Sequence, residues 1–170
     1  MRRRSVRLKG HDYTRPGSYY VTLCTAGREC LFGDVIQGKM ELNALGRIVE
    51  TEWRKTADIR PNVAVDEFVV MPNHVHGILV MRRGERCKRG PRAARFGQPV
   101  AGSVAAIIGQ FKSVVTKTIN RERDTPGADV WQRNYYDRVI RNDRELRRIR
   151  EYIRNNPAQW AKDRENAGNP

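Results

Sequence analysis

Two apolar runs stand almost back to back in this chain. Residues 63–70 (Val-Ala-Val-Asp-Glu-Phe-Val-Val) and residues 74–81 (His-Val-His-Gly-Ile-Leu-Val-Met) are separated only by Met71-Pro72-Asn73. Each run has strand length and is rich in β-branched residues, and the break between them carries a proline. Parallel strands need a crossover of a dozen or more residues, so a three-residue link leaves an antiparallel hairpin as the economical pairing.

The other elements arrange themselves around that hairpin. Tyr19-Tyr20-Val21-Thr22-Leu23-Cys24-Thr25 reads as an earlier strand, and turn signals at Phe32-Gly33-Asp34 and Gln37-Gly38-Lys39 predict a small hairpin after it. Asn43 stands where a helix cap belongs, and Leu45, Ile48, Val49, Glu52 and Trp53 follow at helical spacing. That helix should stop before Arg60-Pro61, because a residue preceding proline avoids the helical region. Val104, Ile107, Ile108, Phe111, Val114, Val115 and Ile119 predict a second amphipathic helix, with Lys112 and Lys117 off its apolar face. Residues 130–136, Val-Trp-Gln-Arg-Asn-Tyr-Tyr, suggest the fourth strand of the main sheet. A last helix begins near Asn142, with Glu145 completing a capping box and Leu146, Ile149 and Ile153 as its apolar face. Strand, helix, strand, strand, helix, strand is the split-βαβ, ferredoxin-like order, an α+β fold, here with a terminal helix added. That fold hosts many functions and selects none.

Charge narrows the field. The 170 residues suit one domain, and 33 Lys+Arg against 19 Asp+Glu give a net charge of +14. Such self-repulsion is offset by a polyanion, with nucleic acid the first candidate. Residues 1–17 read as a basic arm carrying Arg2, Arg3 and Arg4, residues 18–165 as the single domain, and 166–170 as a tail. Within the domain, residues 82–102 hold seven basic side chains, among them Arg82, Arg83, Arg86, Lys88 and Arg89, with almost nothing apolar. That stretch is expected to be a mobile loop. Lys112, Arg133, Arg138 and Arg141 add further candidate phosphate contacts, although a solvated basic surface would look the same. No run of about 18 apolar residues predicts a membrane span, and the basic start at Met1 is not followed by the apolar stretch of a secretory signal. Cys24, Cys30 and Cys87 are odd in number and at no metal-like spacing, which fits a reducing cytoplasm.

Of three histidines, two are His74 and His76. Residues two apart on a strand share a face about 7 Å apart, so both imidazoles can converge on one divalent ion while Val75 joins the core. The alternative is a pair of polar positions on a solvated strand face. A histidine-triad nucleotide hydrolase needs a third histidine where Ile78 stands, and a paired H-x-T phosphoesterase needs a second copy of its motif, which the sequence lacks. On the last helix Tyr152 and Asn156 are four residues apart and share a face. Tyr152 sits at the edge of the apolar stripe, either packed there or facing a cleft. Asn156 precedes Pro157 and also suits a plain helix terminus.

These residues together resemble a known family. Met71-Pro-Asn-His-Val-His-Gly77 looks like the HuH block of single-tyrosine transposases, and Tyr152-Ile-Arg-Asn-Asn-Pro157 looks like their tyrosine helix. The resemblance is strongest to the REP-associated tyrosine transposases, in which Y-x-x-x-N-P follows a segment like residues 131–140, and it runs from about Tyr19 to Trp160. Leu42-Asn-Ala-Leu-Gly-Arg47 and Gln110-Phe-Lys-Ser113 belong to it as well.

The resemblance implies that His74, His76 and Asn156 ligate a divalent metal, Mg²⁺ or Mn²⁺, and that Tyr152 is the nucleophile. Many insertion-sequence relatives carry glutamine at the position of Asn156. The implied activity is cleavage and rejoining of single-stranded or hairpin DNA through a 5′-phosphotyrosine, in DNA transposition or repeat mobilisation. It further implies a monomer rather than a homodimer, in a bacterial-type cytoplasm close to the nucleoid.

Two competing readings remain at this level. A non-catalytic RNA-recognition-type binder shares the strand order but needs a glycine- and aromatic-rich run on a central strand, which residues 74–81 lack. A domesticated nickase that does not mobilise its own gene has the same sequence features as a mobile enzyme. Neutralising Arg82, Arg83, Arg86, Lys88 and Arg89 should weaken DNA binding across sequences and flatten its salt dependence by about one unit of slope per lost phosphate contact. Fluorescence anisotropy over a salt series reads both, and an unchanged affinity and slope would remove the loop from the interface.

Overall fold

The computed structural model describes residues 12–83 and 99–166. Its elements are β1 (Gly17–Cys24), a hairpin of β2 (Gly33–Ile36) and β3 (Lys39–Leu42), α1 (Ala44–Asp58), β4 (Val63–Met71), β5 (His74–Met81), α2 (Val104–Glu122), β6 (Tyr136–Ile140) and α3 (Asp143–Asn155). Four strands form one antiparallel sheet in the order β4-β5-β1-β6. Setting aside the small hairpin, this is the ferredoxin-like βαββαβ order expected from the sequence, followed by α3.

Local chemistry sets most boundaries. Gln37 and Gly38 both adopt positive φ, 50° and 75°, as a two-residue primed turn between β2 and β3 demands. Asn43 caps α1, its Oδ1 accepting from the Gly46 amide at 2.9 Å. Asn142 caps α3 in the same way, from the Glu145 amide. The reciprocal half of the expected capping box is shifted: Glu145 Oε2 accepts from the amide of Arg141, not from that of Asn142.

The fourth strand also lies later than its expected place at residues 130–136. Val130 and Trp131 are both buried but lie outside the β1–β6 ladder, which begins at Tyr136 opposite Thr22. They fill the core instead, with Trp131 bridging only to Thr25. Lys112 holds the following stretch, its ammonium donating to the Gln132 carbonyl at 2.5 Å. The strand itself begins at Tyr136 and contains Asp137 and Arg138, charges that blunt the strand signal. Tyr135 packs toward the main core and Tyr136 toward the opposite side, as adjacent residues at a strand start should.

Residues 12–16 fell in the expected N-terminal arm, but they pack on the domain. The Val104 amide donates to the Tyr13 carbonyl, and Tyr19 donates its hydroxyl to the Arg15 carbonyl. Arg2, Arg3, Arg4, Arg86, Lys88 and Arg89, with most of the basic loop, lie outside the described residues.

The sheet is covered on both sides. On one face Tyr19, Val21 and Leu23 of β1 and Val75 and Leu79 of β5 pack with Val49 and Trp53 of α1 and Ile107, Phe111 and Val115 of α2. On the other, Tyr20, Ile78 and Ile140 pack with Ile149 and Ile153 of α3. Gly77 lies on the first face, where an added Cβ would stand 2.3 Å from Cζ2 of Trp53, so the indole occupies the space a side chain would need. Gly77→Ala should therefore destabilise the fold by about 1–3 kcal/mol through overpacking. A urea unfolding series checks this, and an unchanged midpoint would show that Trp53 moves aside freely.

Candidate active site

Strand β5 turns His74 and His76 toward α3, with ring centroids 4.4 Å apart and both side chains buried. The preceding Asn73 fixes the first ring. Its Nδ2 donates to the carbonyls of Arg28 (3.1 Å) and Glu165 (2.7 Å), so its Oδ1 must be the acceptor facing His74 Nδ1 at 2.9 Å. That ring therefore carries its proton on Nδ1 and presents a bare Nε2. His76 Nδ1 lies 2.7 Å from the Tyr20 hydroxyl and 2.9 Å from Thr22 Oγ1. Thr22 Oγ1 also donates to the Tyr20 hydroxyl, so the two hydroxyls form one bonded pair that holds the Nδ1 edge of the His76 ring. Each Nδ1 is thus engaged by these neighbours, and Nε2 of His76 faces the Tyr152 hydroxyl.

Two further side chains close on the histidines. Asn156, at the end of α3, is buried, and its Nδ2 donates to Asp163 Oδ2 at 2.7 Å. Asp163 follows a 3₁₀ turn, Pro157–Lys162, that folds the chain back across the site. Ligating atoms of His74, His76 and Asp163 all lie within 4.8 Å of one another. His74 Nε2 and Asn156 Oδ1 are both buried without a hydrogen-bond partner among the described residues. Orphaned acceptors of this kind are costly unless something positive sits between them, so the residues present fit a divalent cation held by imidazole nitrogen and hard oxygen donors.

Tyr152 stands at the mouth. Its hydroxyl is 3.4 Å from His76 Nε2 and 3.5 Å from Asp163 Oδ2, and the residue remains 41% exposed, so a polymer can reach it. Burial and then the Asp163 charge push its phenol up to about 12. Burial pushes His74 down to about 4, against the opposing charges of Asp163 and Glu165, and holds His76 well below the usual imidazole range.

No protein-family model matches the chain. A curated relative from Haemophilus influenzae, carrying only the name uncharacterized protein, is 40% identical over 166 residues, spanning 95% of this chain and 91% of the relative. The chain belongs to that protein's family. A solved structure of a REP-associated tyrosine transposase bound to a REP hairpin matches with a TM-score of 0.62 at 18% identity, covering 91% of this chain and 74% of the other. The fold is that of a REP-associated tyrosine transposase. The resemblance read from the motifs is borne out at that level.

Within this transposase fold, His74, His76, Tyr152 and Asn156 come together as the motifs implied. Asp163 was missed. It lies seven residues beyond Asn156 in a charged Lys-Asp-Arg-Glu stretch, and only the 3₁₀ turn returns it to the histidines. Pro157, which favours the first turn of a new helix, was the available hint. Among the candidate DNA contacts, Arg82, Arg83, Arg133 and Arg141 are exposed, while Arg138 pairs with Glu145 and Lys112 is occupied with backbone carbonyls.

A pH dependence follows for the metal-free protein. Both histidines have folded pKa values below the unfolded value, so the unfolded chain binds more protons between about pH 4 and pH 6.5. Stability should be level above that window and fall as pH drops through it. Urea unfolding at pH 7.5 and 5 should show the loss, and His74→Gln/His76→Gln should reduce it; an equal loss in the variant would assign the effect elsewhere.

Proposed function

We propose that this chain is a metal-dependent single-stranded DNA endonuclease and strand transferase, a transposase of the HuH single-tyrosine kind. The observation that carries the reading is Tyr152: an exposed phenol whose oxygen lies within 3.5 Å of both an imidazole nitrogen and a carboxylate of the candidate metal cluster. His74, His76, Asp163 and the Asn156 carbonyl oxygen would hold a divalent cation, Mg²⁺ or Mn²⁺. A cation bound there would supply Lewis-acid polarisation of a phosphodiester and offset charge on its oxygens.

The chain's own groups do the rest. Tyr152 Oη attacks phosphorus, the bond to the 3′-oxygen breaks, and the products are a 5′-phosphotyrosine and a free 3′-OH. Asp163 Oδ2 faces the phenolic proton. One phosphate ester replaces another, so attack by a 3′-OH on the phosphotyrosine rejoins DNA without ATP. Asn73 fixes the tautomer of His74, and Tyr20 and Thr22 fix the orientation of the His76 ring.

The substrate we assign is single-stranded or hairpin DNA. The net charge of +14 and the exposed arginines Arg133 and Arg141 favour a polyanion, and the structural neighbour is bound to a REP hairpin. We read the working unit as a monomer, because Tyr152 faces the histidines of its own chain and a second copy need supply nothing. A cytoplasmic, nucleoid-associated setting fits this substrate; no helix among the described residues is long and apolar enough to cross a membrane.

Incubation with hairpin oligonucleotides from the flanks of its own gene plus Mn²⁺ should give a covalent adduct mapped by mass spectrometry to Tyr152. Tyr152→Phe removes one oxygen from a half-exposed ring, so it should abolish the adduct with almost no change in melting temperature. An adduct on another tyrosine, or a fully active Tyr152→Phe protein, would overturn the mechanism.

A further inference from the structure

Strand β4 pairs with β5 in register except at one point. Val65 lies opposite Leu79 and Phe68 opposite Gly77, so Asp66 and Glu67 together face only Ile78. This is a bulge of two residues against one. In a regular strand Asp66 and Glu67 would point to opposite faces, but here both reach α3. Asp66 receives the fork of Arg150, with Nε to Oδ1 at 3.0 Å and Nη2 to Oδ2 at 2.6 Å. Glu67 receives Arg154 Nε at 2.6 Å. The Glu67 amide, released from the ladder, donates to Asp66 Oδ1 at 2.7 Å and fixes that carboxylate for the fork.

Helical spacing gives these pairs their meaning. Ile149 and Ile153 are the buried row of α3 against the sheet. Arg150 and Arg154 form the row on one flank of it, and Tyr152 and Asn156 form the row on the other. The arginine row therefore sets how far α3 can roll on its apolar seat, and the tyrosine row turns with it. A roll of about 10° would move a hydroxyl roughly 9 Å from the helix axis by about 1.5 Å.

We infer that Asp66 and Glu67 are positioning residues: the β4 bulge grips Arg150 and Arg154 and thereby sets where Tyr152 presents its hydroxyl to His76 and Asp163. The inference rests on the reading of Tyr152 as the nucleophile. It adds two carboxylates, outside the metal cluster, on which the rate of attack depends. A bidentate guanidinium is required, because it fixes angle as well as distance, and an ammonium at the same place fixes neither.

The test uses the full chain labelled with 3-fluorotyrosine, the Tyr152 fluorine signal being assigned by its loss in Tyr152→Phe. Arg150→Lys/Arg154→Lys keeps the charge and removes the fork, and Asp66→Asn/Glu67→Gln removes the acceptors. In either pair the Tyr152 signal should shift or broaden while that of Tyr19, in the core on the opposite face of the sheet, stays. Adduct formation should fall about tenfold to a hundredfold, as expected for an ångström-scale misplacement. The lysine pair should keep hairpin affinity within about twofold, and the fourfold variant should lose no more than either pair. An unmoved Tyr152 signal with an unchanged rate would overturn the inference, and so would a loss accompanied by shifts of every tyrosine signal, which is general loosening. If the unmodified protein forms no adduct while the Tyr152 signal still moves in the variants, the functional reading fails and the clamp stands.

Discussion

Strand β5 is buried on both faces, and its alternation makes one backbone serve two purposes. Val75, Gly77 and Leu79 face the α1–α2 core, with Trp53 seated over the bare Cα of Gly77, while His74, His76 and Ile78 face α3. A slip of one residue in register would turn both imidazoles into the α1–α2 core and the apolar set toward α3. The core therefore fixes the site. Pairing with β1 on one side and β4 on the other locks the register, and it sets Thr22 directly opposite His76.

Around the histidines the chain keeps several ionisable groups out of water, which is tolerable only where each has specific partners. Asp163 accepts from the Asn156 side chain and from the Glu165 amide. Glu165, itself buried, pairs with Arg28 at 3.1 Å and receives the Cys24 thiol. Asn73 binds the backbones on both sides of this arrangement, at Arg28 and at Glu165, while holding His74. Three segments far apart in sequence are joined through that one amide.

Much of the fold was legible because its signals are local. Asn43, Asn142 and the Gln37-Gly38 turn act within a few residues, and the apolar stripes of α1, α2 and α3 repeat at helical spacing. The fourth strand was misplaced because residues 130–136 carry strand-forming side chains that tertiary packing uses as core filler. The true strand holds charges that only its place beside β1 explains. At the site, His74, His76, Tyr152 and Asn156 stood out by spacing and motif. Asp163 did not, since a carboxylate in a charged terminal stretch looks like surface until the chain is seen to fold back.

The sequence by itself determined the strand and helix order, the shared face of the two histidines, and the helical pairing of Tyr152 with Asn156, because each depends on a period of two or of about four residues. Only the tertiary structure decided that these two faces meet, that Asp163 joins them, and that a bulge in β4 holds the tyrosine helix through Arg150 and Arg154. Those contacts span from 7 residues, between Asn156 and Asp163, to 87, between Glu67 and Arg154. No periodicity reaches that far. Side chains so distant meet only when the packing of α3 on the sheet brings them to one place.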